Sequence, residues 1–307
     1  MKKILLLLLF SISFAFSQES INYQTPSSEI LELVEYDRPP SVTYDHDKNF
    51  MLFLYRDNYK SIEDLSQKEL RLAGLRINPK KNIGSRITYY NNVKIKNLKS
   101  KNPEINDIIG IPNNPLIANI NWSPNQKNIA FTNTSSDGVR LWVLNLESRS
   151  LTKLSDLKLN SNIGDVINWV NDNEIIVKVI PENKQNLIDQ DGIVPMGPTI
   201  SSNEGENAQN RTYQDLLKNK TDEFNFEQLV TSDLYLINLN GKTQKWLDAD
   251  MYTSISPSPD GNFIMVSNIK KPFSYIVTYG RFPRTTNIYN YEGKIISNLA
   301  NTPLIEE

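Results

Sequence analysis

The sequence predicts an all-β fold: a partial β-propeller of about four four-stranded antiparallel blades, with two loop or short-helix insertions. Three observations predict it. One hairpin plan occurs four times, a second pair of strands follows three of those hairpins, and the strands between the turns are richly apolar. Two hairpins in succession make a four-stranded antiparallel sheet, and such units repeated along a chain are how propeller blades look in sequence.

The chain opens with Met1-Lys2-Lys3, an unbroken apolar run from Ile4 to Phe10, and the small-residue triplet Ala15-Phe16-Ser17 before Gln18-Glu19. That is the layout of a cleaved secretory signal, and the apolar run falls short of the roughly 20 residues of a spanning helix. Residues 1–17 are therefore expected to be a signal peptide removed near Ser17. The expected product is exported, to the periplasm or beyond the cell, without stable membrane insertion; a retained anchor is the alternative. The chain has no cysteine, which excludes a lipid-bearing thiol and any disulfide framework, so packing alone must hold the fold. Residues 18–307 read as one incomplete propeller domain.

The four hairpins are Ser41 to Leu54, Ile120 to Phe131, Ile167 to Val177 and Ser254 to Val266. Each has an apolar or aromatic lead, a polar turn of Asp, Asn, Pro or Gly, and an alternating apolar strand. The second strand pairs run Leu141 to Leu154, Leu234 to Leu247 and Asn287 to Leu299. A β-sandwich would have strands of similar length, but the recurring turn chemistry counts against it. A blade buries both faces of its sheet, which suits runs such as Ile129-Ala130-Phe131 and Ile175-Ile176-Val177.

The long gaps between hairpins read as insertions at about 61–100 and 181–230. In the first, Asp64 to Ile77 opens with helix-compatible composition and an acidic start, and Gly74 is a candidate C-terminal stop. The second is polar and rich in Pro, Gly and Asn as far as Thr212-Tyr213-Gln214-Asp215-Leu216-Leu217-Lys218. There Thr212 is expected to cap a short helix, with Asp215 answering it three residues on.

The chain carries 33 Lys and Arg against 35 Asp and Glu, a formal net charge of −2, which gives no electrostatic reason to expect nucleic acid or an anionic membrane as partner. None of the 12 glycines belongs to a G-x-S-x-G nucleophile elbow, and the one histidine, His46, lies inside the first hairpin turn. No Ser-Asp-His triad can be assembled, so the expected catalytic residues are none. One histidine and no cysteine leave only oxygen ligands for a metal. Asp189-Gln190-Asp191-Gly192 has its glycine too early for a calcium loop and no glutamate at the twelfth position. No metal or other cofactor is expected. The neighbouring pairs Asp222-Glu223 and Glu306-Glu307 read as solvated charges.

Several stretches resemble the N-terminal region of glutamyl endopeptidases, a branch of the prolyl oligopeptidase family of serine peptidases. They are Lys68 to Ile77, Ser85 to Tyr90, Val194 to Pro198 with Ser202-Asn203-Glu204, Arg211 to Lys218, and Lys271 to Val277 leading into Gly280-Arg281-Phe282-Pro283. The similarity is collinear and spans almost all of the chain after the leader. The resemblance implies a propeller that gates and binds peptide substrate for an α/β-hydrolase domain carrying the triad, a domain absent from this chain. It also implies cleavage after glutamate. A guanidinium neutralises a carboxylate with two parallel hydrogen bonds, so Arg281 and Arg211 are the candidate substrate-binding residues; the competing reading pairs each with a nearby acidic loop or carbonyl. The alternative function is a stand-alone propeller interaction module of the cell envelope.

Overall fold

The structure, a computed structural model, describes residues 24–189, 205 and 212–306. The expected signal peptide lies outside the described residues. The chain divides into two compact units, residues 1–38 and 39–307. In the first, helix α1 (Ser28–Val34) has Glu29 in its first turn and no buried side chain.

Among the described residues the second unit holds four four-stranded antiparallel sheets and one three-stranded sheet. The first blade is β1 (Ser41–Tyr44), β2 (Phe50–Tyr55), β6 (Asn92–Asn97) and β7 (Ile105–Asp107). The second is β8 (Ile117–Trp122), β9 (Asn128–Ser135), β10 (Gly138–Asn145) and β11 (Ser150–Lys153). The third is β12 (Ile167–Asn171), β13 (Glu174–Val179), β14 (Ser232–Asn238) and β15 (Thr243–Asp250). The fourth is β16 (Tyr252–Pro257), β17 (Phe263–Ile269), β18 (Arg284–Asn290) and β19 (Ile295–Thr302). This is the partial propeller that the repeats predict.

Three hydrophobic layers join the four blades. Leu52, Leu54, Val93 and Ile95 of the first blade pack on Ile117, Ile129, Phe131 and Leu144 of the second. Ala130, Val139, Leu141 and Val143 then meet Ile167, Ile175, Val177 and Ile237, and Ile176, Leu234, Leu236 and Trp246 meet Tyr252, Ile255, Ile264 and Val266. Alternation on β13 sends Ile175 and Val177 to one layer and Ile176 to the other, so this stretch of a strand buried on both faces is apolar at consecutive positions. Each such side chain contributes about 2 kcal/mol when fully buried.

The stack is open. Phe263 and Met265 on β17 and Ile295, Ile296 and Leu299 on β19 are exposed on the fourth blade, as are Val42 and Tyr44 on the first.

Three of the four hairpin turns share one hydrogen-bond plan. Asp45 Oδ1 accepts from the Phe50 amide at 2.7 Å, Ser123 Oγ from the Asn128 amide at 3.0 Å, and Ser258 Oγ from the Phe263 amide at 3.0 Å. Three residues into each turn the backbone takes a positive φ, at Lys48, Gln126 and Gly261. A short side chain that replaces a backbone partner and a left-handed residue is the chemistry of tight turns. Neighbouring turns also touch: the Asn125 amide donates to Asp172 Oδ1 at 2.9 Å.

Three local expectations are corrected. The segment 61–77 is not one helix ending at Gly74: Ser61 caps a short helix, α2 (Ile62–Ser66), accepting from the Asp64 amide at 3.0 Å. The chain then forms a hairpin, β3 (Leu70–Leu72) and β4 (Leu75–Asn78), with β5 (Ile83–Gly84) beyond it. Ala73 and Gly74, both at positive φ, make its two-residue turn. Thr212 caps no helix either, because Asp215 sits at φ +59° and its carboxylate turns to Arg76 instead. The helix of the second insertion begins later, as α3 (Lys220–Val230), where Asn219 Oδ1 accepts from the Asp222 amide at 2.8 Å. The stretch 61–100 is also not all insertion, since β6 is the third strand of the first blade.

Candidate functional site

Antiparallel order places the functional loops. Each blade's first and second strands meet at a tight hairpin turn, so the links from second to third strand all leave from the opposite end. Those links are the long ones: residues 56–91 in the first blade, 180–231 in the third and 270–283 in the fourth. One face of the stack therefore carries both insertions. Loops on a rigid scaffold are where binding groups concentrate.

The three links share a core of their own. Leu72, Ala73 and Ile77 from the first, Phe226, Leu229 and Val230 from α3, and Val277 and Phe282 from the third pack with Ile163 and Met251. Phe226 sits edge-on to Phe273 and Phe282, with ring centroids 5.2 and 5.8 Å away. The Tyr279 amide donates to the Ala73 carbonyl at 2.9 Å. Asn160 and Asn162 donate side-chain amides to the Leu229 carbonyl at 2.9 and 2.8 Å, satisfying the end of α3.

Charges are paired across this layer. Arg76 Nε binds Asp215 Oδ2 at 2.6 Å, and Arg71 Nε binds Glu69 Oε1 at 2.8 Å. Burial pushes the Glu69 carboxyl up, but hydrogen bonds from Ser85 and Arg71 and the guanidinium charges outweigh it and hold it below the usual range. Lys178 is fully buried on β13 and donates to the Ile163 carbonyl. Burial lowers its pKa to about 7, against a smaller opposing pull from Asp165.

Arg281 lies in a single 3-10 turn (Tyr279–Arg281), with its guanidinium 5.7 Å from the centre of the Tyr213 ring, a cation–π contact. Arg211 lies outside the described residues. The contact brings Arg281 against the segment that follows Arg211. Asp222 and Glu223 are not the solvated strand charges expected: both are in the first turn of α3. Asp222 is buried and accepts from the Lys218 amide at 2.8 Å, while Glu223 accepts from Lys220 and from the Tyr275 hydroxyl. Glu306 likewise accepts from Ser274 Oγ. Among the described residues no group of three or more acidic or histidine side chains is placed to hold a metal. No helix among them is long and apolar enough to cross a membrane.

The network Arg76, Asp215, Glu69 and Arg71 was not legible beforehand. Asp215 is far in sequence from the other three, and only the density of charge in Lys68-Glu69-Leu70-Arg71 and Arg76 points to the network.

Four-stranded blades stacked through apolar layers, with long loops gathered on one face, define a propeller-type all-β chain. Its sequence then places it among known proteins. The chain is 34% identical over 304 residues to a protein named "Probable glutamyl endopeptidase, chloroplastic" from Oryza sativa subsp. japonica, covering 95% of this chain and 32% of that protein. It is 32% identical over 297 residues to the protein of the same name from Arabidopsis thaliana, covering 93% of this chain and 31% of that one. It is thus a relative of the glutamyl endopeptidases, and it spans about a third of the length of the curated relatives it matches. No protein-family model matches the chain. Among solved structures it is similar to Pyrococcus horikoshii acylaminoacyl peptidase, at 11% identity and TM-score 0.45 over 88% of this chain and 33% of that one. It is also similar to the β-propeller domain of the Trilobed protease from Pyrococcus furiosus, at 12% identity and TM-score 0.39 over 84% and 57%.

Proposed function

We propose that this chain is the non-catalytic propeller portion of a glutamyl-endopeptidase-like serine peptidase, binding peptide substrate and restricting access to an α/β-hydrolase domain. The observation that carries the reading is the one-third identity to glutamyl endopeptidases along nearly the whole chain. It is supported by the sequence, in which no nucleophile elbow occurs and His46 is the one histidine. The gathering of both insertions on one face provides a surface for peptide contact. Export after removal of a signal near Ser17 is part of the same proposal.

In this reading Arg281 and Arg211 help to neutralise a glutamate side chain of the substrate, Arg281 held in place by Tyr213. The test joins the chain to the hydrolase portion of a glutamyl endopeptidase and compares cleavage after glutamate with cleavage after glutamine. Arg281→Ala or Arg211→Ala is expected to reduce the glutamate preference; an unchanged preference removes that residue from the account. Cleavage of a folded protein as fast as of a short peptide removes the gating role.

A further inference from the structure

The chain's charges nearly cancel overall, yet cations collect at one place on the insertion face. A recess of about 330 Å³ is walled by the approach to α2, by α2 itself and by the β4–β5 turn. Five basic side chains line it, Lys60, Lys68, Arg71, Lys81 and Arg86, against two acidic ones, Asp64 and Glu69. Glu69 is already held by Arg71 and Arg76, and Lys68 binds Asp189 at 2.8 Å. Lys60 Nζ donates to the Ser85 carbonyl at 2.9 Å, which leaves its positive charge without a carboxylate. Among the described residues, Lys60, Lys81 and Arg86 take part in no ion pair. Leu65, Ile83 and Tyr89 supply apolar wall between them.

Arg86 has a second position of interest. It also borders an open depression of about 470 Å³ formed with Asn119 and Ser161 to Gly164. Those residues belong to β8 and to the approach to β12, the first strands of adjacent blades, which lie side by side. Arg86 therefore stands where the depression passes into the cationic recess.

We propose that the recess is a binding site for an acidic peptide segment, its carboxylates taken by Lys60, Lys81 and Arg86 while its backbone runs past Arg86 toward the depression over β8 and β12. Cations contributed by three separate stretches, with apolar wall between them, suit carboxylates spaced along an extended chain. A compact anion would need donors that converge on one point. The use of such a site in substrate selection rests on the peptidase reading; the binding itself does not.

The test is fluorescence anisotropy of a labelled peptide of alternating Glu and Ala, with its Gln counterpart as control, titrated with the purified chain. The Glu peptide is expected to bind more tightly and to weaken as salt rises, because charge pairing at an exposed site is screened. Lys81→Glu and Arg86→Glu are each expected to weaken it about tenfold, Arg86→Lys to restore part of the loss, and Lys99→Glu elsewhere on the surface to change nothing. Equal binding of the Gln peptide, wild-type affinity in Arg86→Glu, or an equal loss in Lys99→Glu overturns the proposal. Displacement of the peptide by inorganic phosphate at equal ionic strength also overturns it, assigning the recess to a small anion. Since no hydrolase is present in the assay, its failure is distinct from failure of the peptidase reading.

Discussion

Arg76 and Asp215, 139 residues apart in sequence, are joined by a 2.6 Å hydrogen-bonded ion pair whose side chains keep only 17% and 12% of their exposure. One comes from the β3–β4 hairpin and the other from the second insertion, so a single bond ties together the two longest excursions from the blades. The Gly74 amide, donating to the Asp215 carbonyl at 2.8 Å, seats the same two segments from the backbone side.

Asp215→Ala leaves the largely enclosed Arg76 guanidinium with only the more distant Glu69 carboxylate, and is expected to cost about 2 kcal/mol. Replacing both partners, as Arg76→Met with Asp215→Ala, is expected to recover part of that loss, since no charge is then stranded. Urea unfolding of the single and double variants checks this; a double variant no more stable than Asp215→Ala contradicts it.

Lys178 makes stability depend on pH with a definite sign. An unfolded lysine titrates near 10.4, and the folded side chain near about 7. Between those values the unfolded chain holds a proton that the folded chain lacks. Burial of Lys178 therefore costs stability at neutral pH, and the cost shrinks as the pH climbs toward the unfolded value. Relative to Lys178→Met, the wild-type chain is expected to gain about 1.4 kcal/mol for each pH unit in that window. Unfolding midpoints of both proteins at neutral and alkaline pH measure this; a constant difference between them contradicts it.

Gly164 approaches the fourth blade so closely that an added Cβ would lie 1.9 Å from the Thr253 carbonyl oxygen, and its φ is +55°. Gly164→Ala is expected to destabilise by more than about 2 kcal/mol through clash and backbone strain together. A thermal midpoint unchanged from wild type would show that the two blades are not in contact there.

Ser123 and Ser258 play one role in two blades. Ser123→Ala and Ser258→Ala are each expected to cost about 1 kcal/mol, the worth of one turn hydrogen bond. The sites are in different blades and share no partner, so the double variant should lose the sum. Chemical denaturation of the three proteins tests this, and strong non-additivity would contradict the picture of equivalent, independent turns.

The blades were legible because their signal is local and repeated. An apolar lead, a short polar turn and an alternating strand recur in Ile120 to Phe131 and in Ser254 to Val266, and β16 and β17 bracket their turn as expected. The third and fourth strands of the first blade, β6 and β7, were missed because Asn92-Val93-Lys94-Ile95-Lys96-Asn97 is polar on one face and set behind a long loop. The insertion face was the least legible part. Asp215 looks like a capping residue when only its neighbours are considered, whereas its conformation is set by Arg76 from far away. Arg281 is a candidate because it lies in family-like sequence, but nothing local announces Tyr213 beside it.

The central claim, that this chain serves a peptidase without being its catalyst, is tested most directly by incubating the purified chain with a glutamate-containing peptide and following hydrolysis. No turnover is expected from the chain alone, and cleavage after glutamate is expected once the hydrolase portion of a glutamyl endopeptidase is joined to it. Cleavage by the chain alone, abolished by a serine-directed reagent, would contradict the account.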